Sequence, residues 1–297
     1  MQNKDDGIVR KLYNAGLLNM EQEWVKDTNM EVITGSISYG MPSSDSDTDV
    51  IGICVPPIDY VFPYTQGGYI KDFGERPPNF EVFQQHHVKC EPKQYDIVVY
   101  GLIKFFQLAA ENNPNLTDVL FVADNCLVHC DNIGKLIRSN RKLFLTRHCY
   151  HKLVGYAYNQ LKKIRTMSRK DSRAHLIDKY GYDTKYGSHL VRLVLQCEQI
   201  LTEHDLDLQR NSNLLKAIRN GEWTLERLET WFAEKELTLN KMYTESTLRY
   251  KPDWPELTRV LLCALEEKFG SLDKYMNTSS EDRIRRKFEQ IAQIVNS

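Results

Sequence analysis

The first 125 residues contain short apolar runs bounded by turn residues, a pattern that is typical of β-strands. Residues 30–34 and 48–55 are rich in apolar and β-branched side chains, and they end at a glycine and at a proline pair. Residues 94–100 predict a third strand, and residues 102–111 predict a helix. The inward-facing positions of that helix are predicted to be Leu102, Phe105, Phe106 and Ala109.

Other segments show weaker patterns. Residues 6–26 have a weak helical spacing that is interrupted at residues 14–16, and we expect this segment to cover the sheet. Residues 56–93 are rich in proline and glycine, so we expect a long excursion or a hairpin there. Beyond about residue 125 the apolar spacing is mostly helical, which places a predicted domain boundary at that point.

Composition and charge narrow the class of protein. The chain has 297 residues, of which 41% are hydrophobic and 27% charged, as in one large or two modest globular domains. These values exclude a disordered or collagenous chain. The formal net charge of -1 excludes a wholly basic nucleic-acid coat, but it permits a local binding face.

Cysteine usage and hydropathy indicate the compartment. Seven cysteines without framework spacing are typical of free thiols in a reducing environment. The first residues are too polar for a signal peptide, and the longest apolar stretch, residues 97–110, is too short to span a bilayer. We therefore expect an intracellular, cytoplasmic protein with no membrane partner. The sequence does not indicate an oligomeric state.

The most informative stretch runs from Gly35 to Gly52. Asp47 and Asp49 are two residues apart at the start of a predicted strand, so their side chains should point to the same face. Two carboxylates on one face repel each other, and a shared divalent cation would relieve that repulsion. Gly35 and Ser36 just upstream offer backbone N–H groups and a hydroxyl to a phosphate. The alternative is a solvated acidic turn that leads into a strand.

Asp96 is a charged residue at the start of an apolar strand. It shares a face with Val98 and Tyr100, where burial without a charge partner would cost several kcal/mol. A metal ion bound jointly with the other two carboxylates would remove that cost. The alternative is an exposed strand end or a capping role.

Residues 160–192 form a basic segment, with nine Lys or Arg against three Asp. Lys185, His189 and Arg192 have helical spacing and should form one stripe, which could bind a triphosphate or an RNA backbone. A solvated surface is the alternative. Tyrosines in this segment could stack on a base or pack between domains, namely Tyr180, Tyr182 and Tyr186.

Two groups of cysteine and histidine residues could be considered as zinc sites. They are Cys126, His129 and Cys130, and His148, Cys149 and His151. Their spacing is poor for a structural zinc site, and the same holds for His86, His87 and Cys90. Free cysteines in a core and histidines on the surface are the default expectation.

Taken together, these motifs resemble the DNA polymerase β superfamily of nucleotidyltransferases, and more closely the RNA-ligase-associated (RlaP-like) nucleotidyltransferase family of bacteria and phages. The residues that carry the resemblance are Gly35, Ser36, Tyr39, Gly40, Ser46, Asp47, Asp49, Gly52, Pro56 and Pro57, together with residues 96–115 and 179–193. The resemblance implies an α+β fold. A nucleotidyltransferase domain with a mixed sheet would occupy residues 1–125, and a helical domain at residues 126–297 would close the active cleft.

The resemblance also implies a function. The expected reaction is metal-dependent transfer of a nucleoside monophosphate from a nucleoside triphosphate to an acceptor hydroxyl, with an RNA end favoured as the acceptor and RNA or tRNA as the expected partner. One alternative is nucleotidylation of a protein or small molecule. Another is a non-catalytic nucleotide- or RNA-binding module, although such a module does not require three carboxylates of the kind that bind metal.

The implied roles fall into three groups. The catalytic and metal-binding residues, for Mg²⁺ (or Mn²⁺), would be Asp47, Asp49 and Asp96. The nucleotide-binding residues would be Gly35, Ser36, Ser46, Tyr182, Asp183, Lys185, His189 and Arg192. The RNA backbone would contact Lys162, Lys163 and Arg165.

Overall fold

The computed structural model of the chain describes residues 7–42, 47–62, 79–166 and 173–272. A five-stranded mixed sheet is combined with helices that dominate the later part of the chain, so the predicted α+β class is confirmed. The strands are β1 (Met30–Ile33), β2 (Thr48–Cys54), β3 (Val82–Cys90), β4 (Lys93–Gly101) and β5 (Leu127–Cys130). The helices are α1 (Ile8–Asn14), α2 (Gly35–Ser38), α3 (Ile58–Val61), α4 (Leu102–Ala110), α5 (Pro114–Phe121), α6 (Asn132–Ser139), α7 (Cys149–Thr166), α8 (Ala174–Tyr180), α9 (Thr184–Glu203), α10 (Ser212–Arg219), α11 (Leu225–Glu245) and α12 (Trp254–Phe269).

The strand order in the sheet is β3-β4-β2-β1-β5. The β2–β4 pair is parallel, and the other pairs are antiparallel. The three predicted strands are present, and β3 pairs with β4 in the hairpin that the proline-rich segment allowed. The sequence did not predict β5, which lies just beyond residue 125 and pairs with β1. The division into two domains stays a prediction, and the sheet itself extends past the predicted boundary.

One face of the sheet is covered by the N-terminal segment, as predicted. Val9 and Leu12 of α1 are buried in one apolar cluster with Val50, Ile97 and Val99 from the two parallel strands. The helical spacing ends at the expected interruption, because α1 stops at Asn14 and is followed by Gly16 with a φ of 70°. Burial of these side chains is the main force that holds α1 on the sheet.

The interior strand β1 carries a buried carboxylate that faces α1. Glu31 accepts hydrogen bonds from the Thr28 hydroxyl and from the backbone N–H of Val9, the latter at 3.3 Å. It also accepts one from the backbone of Ile8, while burial raises the pKa of its carboxyl group. Glu31 therefore takes the place of an N-terminal cap for α1, whose own Gly7 supplies no side chain.

The opposite face of the sheet packs against the helices. The predicted inward face of α4 is buried, as are Leu190, Leu193 and Val194 of α9. These residues belong to one continuous apolar core, in which α9 packs against α7, α10 and α11. Among the helices that the structure describes, none combines the length and the apolar character needed to cross a membrane.

A substitution at Gly155 tests directly how the long helix α7 is stabilised. Gly155 is exposed within α7, and a Cβ atom at this position would meet no other atom within 4 Å. We expect Gly155→Ala to raise the free energy of unfolding by about 0.5–1 kcal/mol, because alanine restricts the unfolded chain and favours the helix. Thermal and urea denaturation would measure the change.

The matched control is Gly187→Ala in α9. A Cβ atom at Gly187 would lie 2.7 Å from Cε2 of the buried Tyr182 ring, so this variant should lose stability through overpacking. A lower melting temperature for Gly155→Ala than for the wild type would contradict the account of α7.

Candidate active site

The two strands that run in parallel bring three carboxylates to one end of the sheet. Asp49 of β2 is the register partner of Asp96 of β4, so both side chains leave the sheet on the same face. Asp47 lies two residues before Asp49 and belongs to the same cluster. Burial raises the pKa of Asp49, and the nearby carboxylates of Asp96 and Asp47 raise it further, whereas Lys185 and His86 oppose the shift.

The turn after β1 is pressed against this cluster. Gly35 has a φ of 66°, and a Cβ atom at this position would overlap the Asp49 carboxylate. Only glycine combines this backbone conformation with so close an approach. The turn is fixed by the Thr34 backbone N–H, which donates to the Asp49 carbonyl at 2.8 Å, and by the Ser38 hydroxyl, which donates to the Gly35 carbonyl at 2.9 Å. Gly35 and Ser36 therefore line the cleft directly beside Asp49.

Two histidines of β3 complete the acidic end of the cleft. A bulge in β3 between Gln85 and Val88 brings His86 Nδ1 to 3.4 Å from Asp96 Oδ2. The backbone N–H of His87 donates to Asp96 Oδ1 at 2.8 Å. Asp47, His87 and Asp96 offer ligand atoms within 4.8 Å of one another, an arrangement that could hold a metal ion. The sequence analysis considered these histidines only with Cys90 and missed their place beside Asp96.

The cleft between the sheet and the helices has a volume of about 800 Å³. Its wall includes eight of the predicted site residues, namely Gly35, Ser36, Asp47, Asp49, Asp96, Lys185, His189 and Arg192. Asp49 and Asp96 come from β2 and β4, Asp47 immediately precedes β2, and the last three residues come from α9. The cleft therefore has one acidic wall and one basic wall.

The basic wall concentrates positive charge around a neutral imidazole. Burial lowers the pKa of His189 well below its usual value, and Arg192, Arg219, Lys185 and Arg173 lower it further, so His189 is uncharged at pH 7. Burial also lowers the pKa of Lys185, with Arg219 and Arg173 adding to the shift. Arg219 is the last residue of α10, and the sequence analysis missed it.

Arg192 is anchored by a buried hydrogen-bond network that links three elements. Its Nη1 donates to Asp118 Oδ2 of α5 at 2.9 Å and to Gln196 Oε1 at 3.0 Å. The Asp118 carboxylate also accepts from the Tyr39 hydroxyl and from Gln196 Nε2. Burial raises the pKa of Asp118, whereas Arg192 and the hydrogen-bond donors oppose the shift. The network fixes the turn after α2 against α5 and α9.

Two predicted nucleotide-binding residues, Tyr182 and Asp183, do not line this cleft in the described part of the chain. Tyr182 is buried, and its hydroxyl donates to the Trp223 carbonyl at 3.1 Å. Asp183 caps α9 by accepting from the Lys185 backbone at 2.8 Å, and it pairs with Arg173 at 2.9 Å. Ser46 lies outside the described residues. Tyr182 and Asp183 therefore support the N-terminal end of α9, and their contact with a nucleotide stays a prediction.

The residues predicted to bind RNA lie near the C-terminal end of α7, outside the cleft wall. Lys162 is exposed, and Lys163 lies over the Tyr186 ring with its Nζ 5.4 Å from the ring centroid. Arg165 pairs with Glu229 of α11 at 2.8 Å. Two of the three cations thus have partners within the chain, and their role in RNA binding stays a prediction.

The cysteines follow the default expectation only in part. All seven are free, but only four are buried, namely Cys54, Cys126, Cys149 and Cys197; Cys90 and Cys130 are partly exposed, and Cys263 is exposed. The cluster of candidate metal ligands among the described residues consists of Asp47, His87 and Asp96. It includes no cysteine, and His87 is its only member from the Cys and His groups considered for zinc.

Comparison with known proteins identifies a family for the chain. The family model for RlaP, described as the RNA repair pathway DNA polymerase beta family, matches residues 10–277. No curated protein matches the chain. The crystal structure of a nucleotidyltransferase-like protein from Exiguobacterium sibiricum 255-15 aligns over 80% of this chain and 73% of that chain, with 12% identity and a TM-score of 0.29. The family match spans both the carboxylate cluster and the basic wall of the cleft.

Proposed function

Because this chain belongs to the RNA repair pathway DNA polymerase β family, we propose that it is a metal-dependent nucleotidyltransferase. It would transfer a nucleoside monophosphate from a nucleoside triphosphate to an acceptor hydroxyl, with an RNA end as the favoured acceptor. The observation that carries the proposal is the parallel register of β2 and β4, which sets Asp49 beside Asp96 next to the turn at Gly35.

The donor set fits a hard divalent cation. Asp47, Asp49 and Asp96 supply carboxylate oxygens, the ligands that Mg²⁺ prefers. Burial and the neighbouring carboxylates raise the pKa of Asp49, and a bound cation would offset that repulsion. We propose that they hold Mg²⁺ (or Mn²⁺). The bound ions would neutralise phosphate charge and lower the pKa of the attacking hydroxyl.

The other residues of the cleft would bind and orient the triphosphate. The backbone at Gly35 and the hydroxyl of Ser36 would hold the β and γ phosphates next to the carboxylates. In the reaction, a bond forms between the acceptor oxygen and the α phosphorus while the bond to the β-phosphate oxygen breaks. The pyrophosphate that leaves would be stabilised by the positive charge of Lys185 and Arg219 on the basic wall. No protein nucleophile is required.

Label transfer tests this proposal and separates its alternatives. The protein would be incubated with each α-³²P-labelled nucleoside triphosphate, with Mg²⁺ or Mn²⁺, and with total cellular RNA or total protein. Label in RNA supports the proposed acceptor, and label in protein or small molecules supports the alternative acceptors. Nucleotide binding without label in any fraction would favour a non-catalytic module. The Asp49→Asn variant controls for contaminating activity.

Replacing Lys185 tests phosphate binding separately from the chemical step. The Lys185 side chain lines the cleft, and its pKa is affected by Asp49, so its charge acts close to the carboxylates. We expect Lys185→Ala to raise the KM for the nucleoside triphosphate by about 10-fold or more, because a charge-assisted contact to phosphate is lost. Steady-state kinetics with varied nucleotide would measure the change.

Lys162→Ala is the matched control for Lys185→Ala, since Lys162 is an exposed lysine outside the cleft wall. This variant should leave the nucleotide KM unchanged. If Lys162 contacts RNA, its replacement should instead reduce the salt dependence of RNA binding by about one unit in the logarithmic slope. An unchanged nucleotide KM in Lys185→Ala would contradict the proposed contact between Lys185 and the triphosphate.

A further inference from the structure

The wall of the cleft formed by α7 carries an aromatic ring and an amide that phosphate binding does not use. Tyr156 and Gln160 lie four residues apart on α7, and both line the cleft that contains the carboxylates. The Tyr156 side chain is 42% exposed. Within the described part of the chain, neither side chain makes a hydrogen bond or a ring contact with another residue.

Packing does not account for this pair. The buried face of α7 is formed by other residues, namely Cys149, Leu153, Val154, Ala157, Leu161 and Ile164. Tyr158 on the same helix is equally exposed at 43%, but its hydroxyl donates to Glu236 and its ring packs edge-on against Phe232. Tyr158 therefore has partners that explain its position, whereas Tyr156 faces an open cleft.

The other tyrosines near the site are already engaged. The Tyr39 ring lies under the Arg192 guanidinium, 4.3 Å from ring centroid to Cζ, and Tyr182 is buried in the core. Tyr186 is covered by Arg173 at 4.2 Å. Among the tyrosines that the sequence analysis considered for base stacking, these contacts occupy Tyr182 and Tyr186. Among the described tyrosines that line the cleft, Tyr156 has the free ring.

We propose that Tyr156 and Gln160 form the nucleobase-binding subsite of the cleft, an inference that rests on the proposed function. The flat base of the nucleoside triphosphate stacks on the Tyr156 ring, as bases of any sequence do on exposed aromatic side chains. Gln160 lies one turn further along the same face of α7, about 6 Å along the helix axis. Its amide offers both a donor and an acceptor to the edge of the stacked base.

The two residues have separable roles in this proposal. Stacking on Tyr156 contributes affinity for all four nucleotides, because every base has an aromatic face. Hydrogen bonding to Gln160 contributes the difference in affinity between bases, because only the base edge distinguishes them. The triphosphate is held independently by the turn at Gly35 and by Lys185.

Binding measurements with a ligand that lacks a base test the subsite. Isothermal titration calorimetry would give Kd values for the magnesium complexes of ATP, GTP, CTP and UTP, and for magnesium tripolyphosphate. We expect Tyr156→Ala to weaken binding of all four nucleotides by at least about fivefold and to leave tripolyphosphate binding unchanged. Tyr156→Phe should retain nucleotide binding, and Gln160→Met should narrow the spread of Kd among the four nucleotides.

Tyr158→Ala is the matched control, because it removes an exposed tyrosine of α7 that does not line the cleft. It should change neither nucleotide nor tripolyphosphate binding. Equal loss of nucleotide and tripolyphosphate binding in Tyr156→Ala, or no loss of either, would overturn the subsite. The proposed function would survive that result if tripolyphosphate binding still depends on Lys185. Failure of the wild type to bind any of these ligands would overturn both.

Discussion

Asp49→Asn is expected to reduce nucleotidyl transfer by more than about 10³-fold while the fold survives. The substitution keeps the volume of the side chain but removes one negative charge from the centre of the carboxylate cluster. Asp49 faces both Asp96 and the turn at Gly35, so its carboxylate stands between the other proposed metal ligands and the proposed phosphate-binding turn. Single-turnover transfer of labelled nucleoside monophosphate at saturating Mg²⁺ would measure the loss, and near-normal turnover would contradict the metal-binding role.

Asp49→Asn should also change how stability depends on pH, which can be measured independently of activity. The pKa of Asp49 in the folded protein is raised above 3.8 by burial and by its acidic neighbours. A protonated Asp49 therefore favours the folded state, and this contribution to the free energy of unfolding is fully present below that value. It is lost as the pH rises through the raised pKa, because the buried carboxyl group must then ionise. Without metal at pH 7, Asp49→Asn should be at least as stable as the wild type, and the difference should shrink as the pH falls.

Ligand binding should make the wild type more stable than Asp49→Asn. Mg²⁺ together with a nucleoside triphosphate should raise the melting temperature of the wild type, because the ligand binds only the folded state, and should raise that of Asp49→Asn much less. Asp47→Asn should behave in the same way. Equal shifts of the melting temperature in all three proteins would mean that the ligand binds outside the carboxylate cluster.

Asp118→Ala is expected to lower the free energy of unfolding by about 3–5 kcal/mol, the usual cost of breaking a buried ion pair by removing one partner. The variant would leave the Arg192 guanidinium buried without its carboxylate. It would also leave the Tyr39 hydroxyl and one amide hydrogen of Gln196 without an acceptor. Urea denaturation would measure the loss.

A double variant separates the cost of leaving the Arg192 charge without a partner from the cost of losing the Asp118 side chain itself. Asp118→Leu combined with Arg192→Met removes both charges, so it should recover much of the stability that Asp118→Ala loses. A cost below about 1 kcal/mol for Asp118→Ala would show that water reaches the pair. Because Arg192→Ala would also break this pair, Lys185→Ala is the cleaner probe of phosphate binding.

Local periodicity was sufficient to predict part of the site. Asp47 and Asp49 share a face because side chains on a strand alternate, and Lys185, His189 and Arg192 share a stripe because a helix repeats every 3.6 residues. Neither rule depends on the rest of the chain. The pairing of Asp49 with Asp96 does depend on it, because a parallel pair is not adjacent in sequence and the intervening hairpin strand has no clear pattern. The sequence analysis linked Asp96 to the other two carboxylates through the cost of burying its charge, and the family resemblance agreed with that link.

The missed residues are those whose partners are distant in sequence. His86 reaches Asp96 only through the register and the bulge of β3, which no local pattern predicts. Asp118 did leave a signal, since an acidic residue stands on the buried face of α5 beside Leu116 and Val119. A charge at such a position needs a buried partner. The sequence could not identify that partner as Arg192, which lies 74 residues away.

The contact between Glu31 and α1 fixes the N-terminal helix to the sheet. Shortened versions of the chain that begin after residue 15 would lose the backbone donors of Ile8 and Val9 and expose the apolar cluster that α1 covers. A carboxylate in an interior strand would then keep only the Thr28 hydroxyl as a partner. Truncation at this end should therefore disrupt the strand that leads into Gly35. Amide protons of α1 and β1 should exchange together, as one cooperative unit.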